Sequence, residues 1–243
     1  MVRNKYMKAI QLFCLPYAGG SSFMFEPVQT YMREWIEVIP IDYAGHGLRI
    51  MEDFYTDFQQ MVSDVATQII ERLNGKPFAI LGYSMGSLIA YEVYYEICKR
   101  TERRPIHLFF AAHVPPDFHI RTEELTYALA SKRLEANLVT MGGGNVLVQH
   151  HRELLEMITP RYHIDLTLYS NYLYCMKENL IEANITIIFS EEDNKNNQMY
   201  EWSKHTSKFC LFQKVKGNHF FINTETEEMA KILNRVLITE LSI

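Results

Sequence analysis

The sequence predicts an α/β protein in which a mostly parallel sheet is covered by helices on both faces. Short apolar runs of strand length alternate with longer segments in which apolar residues recur every three or four positions. The short runs are apolar along their whole length, as strands buried on both faces are. A chain of 243 residues with 48% apolar residues is also long enough to bury such a core as one large domain.

The first half of the chain supplies three strands and two helices to this prediction. Strands are expected over residues 9–15, 36–41 and 78–83, and helices over 58–73 and 85–99. Pro16 ends the first strand, because proline has no N–H to donate to a strand ladder. Asn74-Gly75, with Pro77 just beyond, is a typical stop signal for the first helix.

The second half predicts three more strands, over residues 106–112, 185–189 and 209–215, and a last helix over 225–241. Between the fourth and fifth strands, about residues 117–183 have the pattern of helices without a strand. A structureless loop of that length is implausible in a compact domain. We therefore predict a single domain, residues 1–243, with a helical insertion over 117–183, which we call the lid.

Charge and composition exclude several classes of protein. A net charge of -5 and a pI near 6.0 give no general attraction to nucleic acid or to an anionic membrane. No apolar stretch approaches the roughly 18 residues of a membrane span, and the charged start does not resemble a signal peptide. The four cysteines are far apart, which favours reduced, mostly buried thiols over disulfides or a metal site. We expect a cytoplasmic protein without a metal or cofactor of its own.

The strongest chemical signal is Gly82-Tyr83-Ser84-Met85-Gly86, a G-x-S-x-G run between a buried strand and a helix. A sharp turn at this junction places the serine on strained backbone with its hydroxyl exposed above the sheet. The amides at the start of the helix favour developing negative charge nearby. The sequence therefore predicts Ser84 as a nucleophile.

A serine nucleophile needs a base, and His219 is the predicted one. It lies between the last strand and the last helix, at the sheet edge where Ser84 is expected. His46, in a similar loop after the second strand, is the alternative, although its glycine neighbours suggest a turn instead.

The acid that orients this base is predicted to be Asp193, after the fifth strand. This choice gives the chain order Ser, Asp, His that G-x-S-x-G hydrolases use. Glu191 and Glu192 are close enough to compete, and Asp117 after the fourth strand is a separate alternative.

Two backbone amides are predicted to bind the oxyanion. One is the N–H of Met85, directly after the nucleophile. The other comes from the loop Tyr17-Ala18-Gly19-Gly20 after the first strand, with Ala18 as the candidate and Gly19 next.

These segments together resemble the type II thioesterases of nonribosomal peptide and polyketide synthesis. The matching runs, in chain order, are Leu15-Pro16-Tyr17-Ala18-Gly19-Gly20-Ser21, Tyr43-Ala44-Gly45-His46-Gly47, Gly82-Tyr83-Ser84-Met85-Gly86, Val114-Pro115-Pro116, Met141-Gly142-Gly143, Pro160-Arg161 with Asp165, and Gly217-Asn218-His219-Phe220-Phe221. The family pattern usually has His at 83, Pro at 44 and Gly at 190, where this chain has Tyr83, Ala44 and Ser190.

The resemblance implies an α/β-hydrolase fold with a mobile helical lid. It implies hydrolysis of aberrant or stalled acyl groups from the phosphopantetheine arm of a carrier protein. The partner would be an acyl or peptidyl carrier protein, contacted transiently by a monomeric enzyme. Carried over residue by residue, the family pattern gives Ser84, Asp193 and His219 as the triad.

The lid and the basic residues offer candidates for acyl binding and for docking. Six apolar lid residues either line an acyl channel or pack the lid onto the body: Leu125, Leu129, Leu134, Leu138, Val139 and Met141. The densest basic run, Lys99 to Arg104, is expected at a helix end about 20 Å from Ser84. Lys132 and Arg133 in the lid are therefore better candidates for docking an acidic carrier protein.

Two other functions fit parts of the same pattern. A small-molecule carboxylesterase or lipase would use the same triad. A hydrolase-fold binding protein would lack the chemistry, and the ordered presence of nucleophile, acid and base disfavours it.

Overall fold

Six parallel strands form one sheet in the order β2-β1-β3-β4-β5-β6. The computed structural model describes residues 9–119, 126–140, 152–193 and 195–241. The strands are β1 (Ile10–Leu15), β2 (Ile36–Pro40), β3 (Phe78–Tyr83), β4 (His107–Ala111), β5 (Asn184–Phe189) and β6 (Cys210–Lys214). Each lies within one residue of its predicted bounds, and the predicted fold class is confirmed.

Seven α-helices accompany the sheet in the described part of the chain. They are α1 (Glu26–Gln29), α2 (Phe58–Arg72), α3 (Met85–Arg100), α4 (Tyr127–Thr140), α5 (Arg152–Ser170), α6 (Phe221–Thr224) and α7 (Thr226–Leu241). The 3₁₀ helix over Lys195–His205 was not predicted, because its apolar residues follow no clear period.

Alternate residues of each strand face two separate apolar layers, as the pleat of a sheet requires. Phe13, Ile80 and Phe110 belong to the layer that contains the buried faces of α2 and α3. Leu12, Leu81 and Phe109 belong to the opposite layer, which contains the buried face of α7. The helices therefore cover both faces and leave the carboxyl ends of the strands to carry loops.

Strand register brings those carboxyl ends to one edge of the sheet. Leu15 pairs with Gly82, and Tyr83 pairs with Ala111. Phe189 at the end of β5 pairs with Lys214 at the end of β6. The segments that follow β1, β3, β5 and β6 therefore all emerge at this edge.

Helices α4 and α5 lie between β4 and β5, where the lid was predicted. Ala130 and Leu134 of α4 and Tyr162 of α5 form a small buried apolar cluster of their own. The described residues of this segment contain no strand, only an isolated bridge between Ile181 and Thr206. The division into one domain with a lid over 117–183 stays a prediction.

The four cysteines differ in how deeply they are buried. All four cysteines are free, but only Cys14 is fully buried, and Cys175 is exposed. The prediction of mostly buried thiols is thus wrong, because Cys98 and Cys210 are also only half-buried. Within the described ranges, no helix combines the length and the apolar character needed to cross a bilayer.

Candidate active site

Ser84 occupies a sharp turn between β3 and α3. Its backbone adopts φ 53° and ψ -119°, a region that non-glycine residues rarely occupy and that stores strain. The Ser84 N–H donates to the carbonyl of Ala111 at 2.8 Å, which holds the turn against β4. The flanking glycines leave room for close backbone: a Cβ at Gly86 would clash with the Leu15 carbonyl, and one at Gly82 with Gly86 itself.

His219 reaches the Ser84 hydroxyl from the loop after β6. Its Nε2 lies 3.0 Å from Oγ of Ser84, within hydrogen-bond distance. The loop is stiffened locally, because the Asn218 side chain accepts the N–H of Phe220 at 2.8 Å. The His219 side chain is 38% exposed, so it faces an open site and not the core.

Asp193 contacts the other ring nitrogen of His219. Its Oδ1 lies 2.7 Å from Nδ1, and its side chain is 5% exposed. The Oδ2 atom accepts two hydrogen bonds from Ser190, from the N–H at 3.1 Å and from the hydroxyl at 3.0 Å. Burial alone would raise the Asp193 pKa, but the contacts with His219 and Ser190 outweigh it and hold this pKa below its ordinary value. The carboxylate is therefore ionised and aimed at the imidazole.

The alternative acids lie elsewhere. Glu191 is exposed and pairs with Lys214, and Glu192 is exposed. Asp117 pairs with His205, whose Nε2 lies 2.9 Å from Oδ1. Among these acids, the structure brings Asp193 to His219.

His46, the alternative base, is buried in a different contact. Its Nε2 lies 3.0 Å from Oδ2 of Asp165, and both side chains are 1% exposed. Its Nδ1 lies 3.0 Å from the carbonyl of Ala44. Burial alone would lower the His46 pKa, and the charge of Arg161 acts in the same direction. The charge of Asp165 and the hydrogen bonds to Asp165 and to the Ala44 carbonyl outweigh both and hold this pKa above its ordinary value. Because both ring nitrogens face oxygen acceptors, we expect the imidazole to carry both protons.

The two predicted oxyanion donors belong to the start of α3 and to the loop after β1. Met85 is the first residue of α3, where backbone amides lack partners within the helix. Ala18 lies in a turn after β1 that closes with a 2.9 Å bond from the Gly20 N–H to the Tyr17 carbonyl. Gly19, the alternative donor, gives its N–H to Oδ2 of Asp165 at 2.7 Å. This contact favours Ala18 over Gly19.

A cavity of about 410 Å³ opens above Ser84. Its walls come from the loop after β1, the loop carrying His219 and the two lid helices. Lid residues that line it are Leu134, Asn137, Ile158, Tyr162 and Leu166. The sequence analysis did not identify the last four of these. Helical periodicity indicates which face of a helix is apolar, but not which part of the protein packs against that face.

Of the six apolar lid residues considered earlier, Leu134 lines the cavity and is also packed against Tyr162. Leu129 is 41% exposed and is not part of the cavity wall. Leu125 and Met141 lie outside the described residues, as do the side chains of Leu138 and Val139.

The described residues contain no group of three or more His, Cys, Asp or Glu side chains placed to hold a metal ion. What the site does bring together is a hydroxyl, an imidazole and a carboxylate in hydrogen-bonded order. This arrangement can generate a serine nucleophile for acyl transfer.

Several known proteins are similar to this chain over most of its length. The chain is 28% identical to the linear gramicidin dehydrogenase LgrE of Brevibacillus parabrevis, over 94% of this chain and 88% of that one. It is 28% identical to the gramicidin S biosynthesis protein GrsT of Aneurinibacillus migulanus, over 94% and 89%. The crystal structure of ClbQ, from the colibactin NRPS/PKS pathway, superposes with a TM-score of 0.85 at 27% identity, covering 95% of this chain and 98% of ClbQ. The family model for the thioesterase domain matches residues 10–237, and the chain therefore belongs to the thioesterase family.

Proposed function

We propose that this thioesterase is of type II and removes aberrant or stalled acyl groups from carrier proteins in nonribosomal peptide or polyketide synthesis. The observation that carries the proposal is the chain of contacts from Ser84 through His219 to Asp193, at the floor of a cavity walled by the lid. The relatives named for gramicidin S synthesis and for the colibactin pathway support this biological setting.

In the proposed acylation step, Ser84 Oγ attacks the thioester carbonyl while Nε2 of His219 accepts its proton. Asp193 holds the Nδ1–H tautomer and stabilises the imidazolium that forms. The amides of Met85 and Ala18 donate to the oxyanion. A donor of this kind typically contributes about 3 kcal/mol to transition-state stabilisation.

Collapse of the tetrahedral intermediate releases the pantetheine thiol, which receives the proton from His219. Water then attacks the acyl-serine with His219 again as base, and the free acid leaves. We propose that no cofactor of this chain takes part, because the thiol is already a good leaving group. The phosphopantetheine belongs to the partner carrier protein.

The name of LgrE includes the word dehydrogenase, which denotes a redox reaction. We do not propose that reaction for this chain. A Rossmann dinucleotide site places a Gly-x-Gly-x-x-Gly run after its first strand. This sequence contains no such run, and β1 leads instead into Pro16-Tyr17-Ala18-Gly19-Gly20.

For the carrier protein we propose docking at Lys132 and Arg133, which are exposed on α4 of the lid. The denser basic run has local partners instead. Arg100 donates to the Ser63 carbonyl and to Thr67, and Arg103 donates to the Lys76 carbonyl. We further propose that the enzyme acts as a monomer in the cytoplasm, in keeping with its four free thiols.

Substrate competition tests the proposed function. The measurement compares kcat/KM for an acyl-carrier-protein thioester with kcat/KM for a p-nitrophenyl ester of the same acyl group. We expect the carrier thioester to be preferred. Preference for the ester would instead indicate the small-molecule carboxylesterase.

A fluorophosphonate probe separates either enzyme from a binding protein. The wild type should be labelled at Ser84, and Ser84→Ala should not be labelled. A wild type that stays unlabelled would support the binding protein.

A further inference from the structure

Tyr83, the residue before the proposed nucleophile, is fully buried and makes two hydrogen bonds to the loop that carries His219. Its hydroxyl donates to the backbone carbonyl of His219 at 2.7 Å. The same oxygen accepts the N–H of Ile222 at 3.2 Å. The ring packs against Phe221 and Tyr17, with centroids at 5.1 and 6.1 Å. Burial raises the pKa of this hydroxyl well above its ordinary range, so it is a neutral donor.

The hydroxyl takes the place of a backbone hydrogen bond. The Phe221 N–H donates to the Asn218 carbonyl at 3.1 Å, and the Asn223 N–H donates to the Phe220 carbonyl at 2.9 Å. In both bonds the N–H donates to the carbonyl three residues earlier in the chain. The corresponding bond between His219 and Ile222 is replaced by the inserted hydroxyl, which donates to one group and accepts from the other. The hydroxyl of Tyr83 therefore bridges the His219 carbonyl and the Ile222 N–H.

We propose that Tyr83 is a positioning residue for hydrolysis. Its hydroxyl fixes the position of the His219 backbone, so that the imidazole contacts both Ser84 and Asp193. This inference rests on the proposed function of the triad. The two contacts of the imidazole, 3.0 Å to Ser84 and 2.7 Å to Asp193, leave little room for displacement.

Tyr83→Phe removes the hydroxyl and keeps the buried ring. The His219 carbonyl and the Ile222 N–H are then free to bond directly, which draws the backbone of His219 toward Ile222. A displacement of about 1 Å at a reacting group costs on the order of a hundredfold in rate. We expect kcat to fall by about tenfold to a hundredfold, with KM within about twofold of the wild type, since the lid residues that line the cavity are unchanged.

Tyr94→Phe is the matched control. Tyr94 is 3% exposed, and its hydroxyl accepts the N–H of Glu182 at 2.8 Å, away from the site. Tyr94→Phe loses one hydrogen bond where Tyr83→Phe loses two, so a smaller fall in melting temperature is expected, while kcat stays within about twofold. A purely structural role for Tyr83 would leave kcat within about twofold in both variants.

The proposal is overturned if Tyr83→Phe keeps kcat within twofold, or if Tyr94→Phe loses as much kcat. Amide hydrogen exchange in the wild type gives a readout that does not require the variant to fold. The Ile222 amide should be protected, and exchange at the rate of an unstructured peptide would also overturn the proposal. Ser84→Ala separates failure of the proposed function from failure of the role proposed for Tyr83. If Ser84→Ala is as active as the wild type, the proposed function fails, whatever the result for Tyr83→Phe.

Discussion

Replacing Asp193 by asparagine is the sharpest test of the proposed triad, because the surroundings of this carboxylate fix how the amide would sit. Oδ2 of Asp193 accepts two hydrogen bonds from Ser190, whereas Oδ1 faces Nδ1 of His219. In Asp193→Asn the amide oxygen must take the Ser190 side to accept those bonds. The NH₂ group then faces Nδ1, which makes Nδ1 an acceptor and places the ring proton on Nε2. Nε2 can no longer accept the proton of Ser84.

The size of the loss can be estimated from the charge and the tautomer. With about 4 Å between charge centres and an effective dielectric constant of about 20, the carboxylate stabilises the imidazolium by about 4 kcal/mol. That energy corresponds to roughly a thousandfold in rate. Because the wrong tautomer adds to the lost charge, we expect kcat to fall by about 10³- to 10⁴-fold.

The assay is release of thiol from a small acyl-pantetheine thioester under saturating substrate. Asp117→Asn is the control, since it neutralises an acid that pairs with a histidine away from Ser84. Its kcat should stay within about twofold of the wild type. If Asp117→Asn abolishes activity while Asp193→Asn loses less than tenfold, the assignment of the acid is wrong.

Three further predictions concern the rest of the structure. Lys132→Glu combined with Arg133→Glu should raise KM for an acyl-carrier substrate and leave KM for a small thioester unchanged; an equal rise for both substrates would refute docking at these residues. In Gly86→Ala the new methyl group clashes with the Leu15 carbonyl, so unfolding should become easier by about 1–3 kcal/mol, visible as a lower melting temperature, and an unchanged value would contradict the packing described. The pKa of His46 is raised in the folded state, so the charged imidazole beside Asp165 stabilises the fold. This stabilisation is fully present below the unfolded-state pKa of about 6.5 and is lost as the pH rises through the folded-state pKa. His46→Gln should therefore lower the melting temperature more at pH 6 than at pH 9, and a deficit that is equal at both would show that His46 is not charged.

The strands and the G-x-S-x-G turn are predictable from sequence because their signals are local. Uninterrupted apolar runs give β3 and β5, and the small residues at Gly82 and Gly86 are required by backbone that passes directly beside them. The order of the parallel strands then brings Ser84 and His219 to one edge, which the alternation of strands and helices already implies.

Contacts between distant segments are less accessible to sequence reasoning. Glu191, Glu192 and Asp193 are consecutive acids, and the hydrogen bonds from Ser190 select among them by orienting the third. The pairing of Asp117 with His205, 88 positions later, follows from how two 3₁₀ helices pack and not from any period.

The bond from Gly19 to Asp165 and the insertion of Tyr83 into the His219 loop are of the same kind. The sequence marked Tyr83 and Asp165 only as positions within a family pattern. Their partners depend on how α5 packs against the loop after β1, and on how the loop after β6 packs against β3.

Intact-mass measurement of an acyl-carrier protein before and after incubation tests the central claim most directly. With the wild type, the carrier should lose the mass of its acyl group and keep its phosphopantetheine, and acylated enzyme should appear transiently at Ser84. With Ser84→Ala, the carrier should keep its acyl group. An unchanged carrier mass across acyl groups of different length with the wild type, or equal deacylation by both proteins, would contradict the account.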